Sequence, residues 1–133
     1  MSIFPIGPSI QTQGTWEFSI NNSFPFNGIL YNSTSANGDN CTWKVALDAG
    51  TYNLYTMYTK GGGLGILQIL LDGTEIDSID EYNGVALNNL VKITSFNVAT
   101  KGIKALKANC NGKNASSSGY QLTISAIQIE RTA

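Results

Sequence analysis

Five carboxylates crowd one short stretch of this 133-residue chain: Asp72, Glu75, Asp77, Asp80 and Glu81. Paired carboxylates can hold calcium or cleave a glycosidic bond. Their spacing fits no EF-hand loop, however. At a strand's period of two, Glu75, Asp77 and Glu81 share one face, which reads as a solvated, charged strand edge. The chain has no histidine, so histidine-based triads are excluded. Its two cysteines, Cys41 and Cys110, form no CxxC and so no common zinc site. They read as reduced, partly buried thiols, with a long-range disulfide left open. The run GGGLG at 61–65 has neither GK[ST] nor a helix after it, and is expected to connect strands, not to cradle phosphate. Serine has no base to work with, since no S-x-x-K spacing occurs. The residues therefore point to a non-enzymatic protein with no catalytic set, no cofactor and no metal.

Binding chemistry is better represented. Trp16, Trp43, Tyr31, Tyr52, Tyr55, Tyr58, Tyr82 and Tyr120 accompany abundant amides and hydroxyls. Aromatic rings beside amides make sugar platforms, because the ring stacks on C–H faces while amides reach hydroxyls; otherwise such rings fill a core. Trp43 alternates with Val45 and Leu47 and is assigned to the core. Two polar loops are candidate glycan or interface loops: Asn37, Asp39 and Asn40 in one, Lys113, Asn114, Ser116 and Tyr120 in the other. Asn, Ser and Thr number 14, 12 and 12, and only 13% of residues are charged, against roughly 25% in ordinary domains. A neutral, hydroxyl- and amide-rich surface suits contact with proteins or sugars. With net charge −1 and one arginine, Arg131, nucleic-acid binding is excluded. Lys92, Lys101, Lys104, Lys107 and Lys113 cluster after the acids, and either pair with them between subunits or keep the surface wet. Four Asn-x-Ser/Thr matches are expected by chance in such a composition.

These loops need a frame. Residues 1–13 are uncharged and contain Pro5 and Pro8, which favour extended backbone. They read as an N-terminal arm carrying Ile3, Phe4, Ile6 and Ile10, which packs on its own domain or reaches a neighbouring chain. The arm lacks the basic n-region of a signal peptide, and no stretch approaches the roughly 20 apolar residues of a membrane span. From residue 14 to 133 the pattern is strands and turns. Trp16, Phe18 and Ile20 alternate with polar residues, as do Trp43, Val45 and Leu47. Ile66 to Leu71, Asp72-Gly73 and Thr74 to Ile79 spell a hairpin. Val91 to Ala99 and Ile103 to Cys110, joined by residues 100–102, are expected to form a second. Tyr120, Leu122, Ile124 and Ala126 are out of phase with Ile127 and Ile129, which predicts a β-bulge near Ser125 or Ala126. The fold class is all-β: an antiparallel β-sandwich, jelly-roll type, of about eight strands, with an extended N-terminal arm.

Three stretches taken together carry a resemblance: NGDNCTWKVALDAGTYNLYTMY (37–58), GILQILLDGTEIDSID (65–80) and ATKGIKALKANCNGKNASSSGYQLTISAIQIERT (99–132). In this order they resemble a jelly-roll module of bacteriophage virion proteins: capsid decoration or cement proteins, head fibres, and C-terminal domains of tail fibres or appendages. LDAGTY alone also occurs in carbohydrate-binding sandwiches. The resemblance implies a non-catalytic homotrimer located in the virion and made in the host cytoplasm. With no shaft or baseplate-binding segment beside it, the module is expected on a capsid surface. There it would bind the major capsid protein or another virion protein through Ile3, Phe4, Ile6 and Ile10. The alternative is a receptor- or carbohydrate-binding tip of a tail or head fibre, bound to a host-surface glycan through the two polar loops. No nucleic acid or membrane partner is expected.

Overall fold

A computed structural model of the chain describes residues 2–4, 11–20 and 28–133, so Ile6 and Ile10 lie outside the described residues. Among the described residues there are twelve strands and no helix. In chain order they are β1 (Ser2–Phe4), β2 (Gln11–Gln13), β3 (Trp16–Ile20), β4 (Gly28–Asn32), β5 (Asn40–Leu47) and β6 (Gly50–Lys60). There follow β7 (Ile66–Leu71), β8 (Thr74–Asp80), β9 (Leu87–Val98), β10 (Gly102–Cys110), β11 (Thr123–Ile124) and β12 (Ala126–Arg131). One sheet has the order β1-β12-β6-β9, a second β2-β5-β10-β7-β8, and a small third β11-β4-β3. Every pair of these strands is antiparallel.

Alternation builds the core. Cys41, Trp43, Val45 and Leu47 of β5 are buried, as are Leu67, Ile69 and Leu71 of β7, and Leu106, Ala108 and Cys110 of β10. From the other large sheet come Tyr52, Leu54 and Tyr58 of β6, Phe96 and Val98 of β9, and Ile127 and Ile129 of β12. The two inward rows meet in one cluster, the arrangement of a β-sandwich. Tyr52 stacks on Phe96, with ring centroids 5.4 Å apart. The two cysteines are unbonded and buried in this core; burial pushes the Cys41 thiol up to about 12 and the Cys110 thiol up to about 11.

The Asp72-Gly73 hairpin forms as its sequence requires. Leu71 pairs with Thr74, and the two turn residues take φ of 49° and 82°, the positive values of a type I′ turn. The second expected hairpin does not form. β9 pairs with β6 in one sheet, while β10 pairs with β5 and β7 in the other. The link at 99–101 therefore carries the chain across the sandwich, because both strands have their apolar rows turned to the same core. The expected bulge near Ser125 is a change of sheet: β11 pairs with β4, Ser125 is buried, and β12 then pairs with β6. The carboxylate face also differs. A register shift at Ile69/Leu70 leaves Ile76 unpaired in β8, so Glu75 faces solvent while Asp77 and Glu81 are buried. Described parts of the expected arm are sheet strands: β1 pairs with β12, placing Ile3 opposite Gln128 and Phe4 opposite Ile127, and β2 pairs with β5.

Candidate functional site

The two polar loops named from sequence come together at one end of the sandwich, tied to each other and to the 61–65 connection. Asn37 is exposed, and its Oδ1 accepts the Gly112 N–H at 2.8 Å. Gly38 N–H donates to Cys110 O at 2.9 Å, and Cys110 N–H returns to Asp39 O at 2.8 Å. Asn40 is half-buried and donates its amide to Gly38 O at 3.0 Å. Lys113 Nζ donates to Ser117 O at 2.7 Å and sits 5.5 Å over the Tyr120 ring, a cation–π distance. Asn114 donates to Asp80 Oδ2 at 3.0 Å, and its Oδ1 accepts the N–H of exposed Ser116 at 2.9 Å. Tyr120 is half-buried; its N–H donates to Ser35 Oγ at 3.1 Å. Ser117 is buried, and its hydroxyl donates to Leu64 O at 2.7 Å.

Asp39 is the pivot of this knot. It is buried, and its Oδ2 accepts from Asn32 Nδ2 at 2.8 Å, Thr34 Oγ1 at 2.6 Å and Ala36 N–H at 3.0 Å. Burial alone pushes this carboxyl up, but the three donors pull harder, and it lies below its ordinary value. Asn32 passes the order on, its Oδ1 accepting Leu122 N–H at 2.5 Å. Asp39 is thus taken up inside the loops and shows little of itself to solvent. The loop polar groups mostly satisfy one another, so the knot works as a rigid wall.

Beside that wall lies a groove of about 460 Å³. Tyr31 and Ile29 of β4, Ser19 of β3, Thr59 and Lys60 of β6, Asn88 of β9, and Gln121 with Thr123 line it, and Gly61, Gly63 and Leu64 belong to both wall and groove. The groove presents one aromatic ring, two amides, the Ser19 hydroxyl and an ammonium, above the buried hydroxyls of Thr59 and Thr123. Tyr31 donates its hydroxyl to Glu17 Oε2 at 3.2 Å, fixing the ring edge. Among the described residues Lys60 has no ion-pair partner. Pockets of this size with a few convergent polar groups are where small ligands bind. Beneath its floor Glu81 is fully buried, and its Oε1 accepts Thr123 N–H at 2.7 Å and Thr123 Oγ1 at 3.2 Å. Thr59 and Thr123 join hydroxyls at 2.8 Å. Burial pushes the Glu81 carboxyl well up, and its Oε2 is buried without a partner among the described residues.

Sequence reading named Tyr31 among the aromatics but missed Thr59, Lys60, Asn88, Gln121 and Thr123 as site residues. They come from three separate segments, 59–60, 88 and 121–123, and no local pattern joins them. Among the described residues, no three cysteine, aspartate and glutamate side chains gather as metal donors.

No family model and no curated protein matches the chain. Solved structures do. A Paenibacillus xanthan lyase matches 94% of this chain at 23% identity with a TM-score of 0.76, although the chain spans only 12% of that enzyme's length. A family 35 carbohydrate-binding module from an environmental isolate matches 100% of this chain, and 98% of its own, at 15% identity and a TM-score of 0.67. A family 36 carbohydrate-binding module, solved with calcium and xylotriose, matches 90% of this chain, and 92% of its own, at 14% identity and a TM-score of 0.59. The chain therefore has the jelly-roll sandwich fold of carbohydrate-binding modules.

Proposed function

We propose that this chain binds carbohydrate, in the groove between Tyr31, Lys60, Asn88 and Gln121. The observation that carries the reading is the groove's make-up: one ring for a sugar's C–H face, flanked by side-chain amides and hydroxyls for its hydroxyl groups, at a volume suited to a short oligosaccharide. The self-satisfied loop knot holds the groove rigid, so little ordering entropy is lost on binding. Fold similarity to carbohydrate-binding modules supports the same reading. Lys60 adds a fixed positive charge at one wall. A glycan array followed by calorimetry tests the proposal. Tyr31→Ala and Gln121→Ala should each weaken binding about tenfold or more, on the order of 1–2 kcal/mol. Binding that survives both substitutions, or no binding to any neutral or acidic glycan, would overturn it.

The resemblance of residues 37–132 to phage virion modules favours a second reading of the setting: a particle-bound module whose carbohydrate lies on the host surface. Adsorption of the purified chain to host cells, lost with Tyr31→Ala, is the result expected. Stable attachment to capsids with no affinity for cells would support capsid decoration instead. In that case deletion of residues 2–10 should release the chain from the particle.

A further inference from the structure

Among the described residues, strand β9 is a long sheet edge with no strand on its outer side. Its sheet ends in β9 on one side and in three-residue β1 on the other. The five-stranded sheet ends in three-residue β2 and in β8, which carries Glu75, Asp77 and Asp80, and the small sheet's edge strand β3 has five residues. Natural edge strands are kept from pairing by shortness, charge or proline. β9 has twelve residues, no proline and one charge, Lys92. That charge is already paired: Lys92 Nζ sits 2.7 Å from Asp77 Oδ1 and donates to Ser78 O at 2.8 Å, with its side chain 40% exposed. On the outer face Val91 and Ile93 are 52% and 58% exposed, opposite Met57 and Tyr55 of β6. Among the described residues, β9 pairs only with β6 and makes no other backbone hydrogen bond.

We propose that β9 is the surface through which a second copy of this chain binds, antiparallel and edge to edge, joining two four-stranded sheets into one. Self-complementarity selects this occupant. Around a two-fold axis, an antiparallel strand offers its twin the same donors and acceptors that it needs in return. From Leu90 to Val98 the register with β6 is unbroken, a run about 30 Å long. The positive φ of Asn89 (59°) and the register shift at Tyr58/Lys60 mark where it begins. With the two-fold axis at Thr94, Val91 lies opposite Asn97 of the second copy, Ile93 opposite Ser95 and Lys92 opposite Phe96, so no two charges face each other. Each Lys92 stays neutralised by the Asp77 of its own chain, so no free like charges meet. A strand from another protein would need the same pattern of neutral, alternating residues, whereas a second copy supplies it by construction.

Sedimentation velocity and light scattering on the full chain, from about 1 µM to 500 µM, should show a dimer that grows with concentration. Val91→Lys and Ile93→Lys, both at exposed positions, should weaken the dimer at least tenfold while leaving thermal unfolding of the monomer unchanged. Amide exchange across 90–98 in the unsubstituted chain should slow as the dimer forms, and this measurement decides the matter should either lysine variant fail to fold. A monomer at every concentration, a trimer, or a dimer indifferent to Ile93→Lys with unprotected 90–98 amides overturns the inference. The groove substitution Tyr31→Ala leaves β9 untouched and should leave the dimer intact, so carbohydrate binding and dimerisation fail or hold separately.

Discussion

Two buried carboxyls give this small domain opposite pH responses. Asp39 has a folded-state value below its ordinary one, so its contribution is full above about pH 4 and is lost as pH falls through the lower folded value. Glu81 is raised, so its contribution is full below the ordinary glutamate value of about 4.3 and declines as pH climbs from there towards the folded value. Asp39→Ala should cost about 1–3 kcal/mol at neutral pH, because Asn32 Nδ2, buried, loses a charged acceptor. The loss should shrink in acid, read by denaturant midpoints across the pH range. Glu81→Gln keeps an oxygen for Thr123 N–H and removes the ionisation. It should match the parent near pH 4, exceed it in stability at pH 7, and flatten the decline between. Neither role was legible in the sequence. Asp39 looked like a loop residue facing solvent, and Glu81 looked like the partner of Glu75 on a wet face. One unpaired residue, Ile76, reverses that face, and a bulge of this kind leaves no mark in a pattern of types.

At the scale of elements, strands were more legible than their partners. The alternation of Trp43, Val45 and Leu47, and the Asp72-Gly73 turn, each follow from local steric and solvation rules that act within a few residues, and both appear as expected. Strand pairing does not act locally. Val91–Ala99 and Ile103–Cys110 are adjacent in sequence and satisfy the pattern of a hairpin, yet an equally short link can cross the core and put them in opposing sheets. The groove shares this difficulty, since Tyr31, Lys60, Asn88 and Gln121 meet only once the sheets are stacked. What holds the groove's wall is close packing of three connections. At Gly65 an added Cβ would lie 3.0 Å from Cys110 Sγ, 3.0 Å from Gly112 O and 3.2 Å from Tyr120 Cα. Gly65→Ala should therefore push the 111–120 loop off the 61–65 connection. The cost should be about 1–3 kcal/mol in stability, with faster amide exchange at Gly112 and Gln121 as the local sign.

For the whole molecule, the fold is that of a sandwich whose ends meet. β1 and β12 are neighbours in one sheet, with Ser2 opposite Ile129 and Phe4 opposite Ile127. Entry and exit of the chain thus lie side by side at one end of an antiparallel pair. A pull applied between them would not load the pair's hydrogen bonds together. It would open them singly, from Ser2 inward, as a zipper opens, and at low force. A module hung by both ends in this way can give under tension at its margin while the core of Leu54, Ile69, Leu106 and Ile129 stays closed.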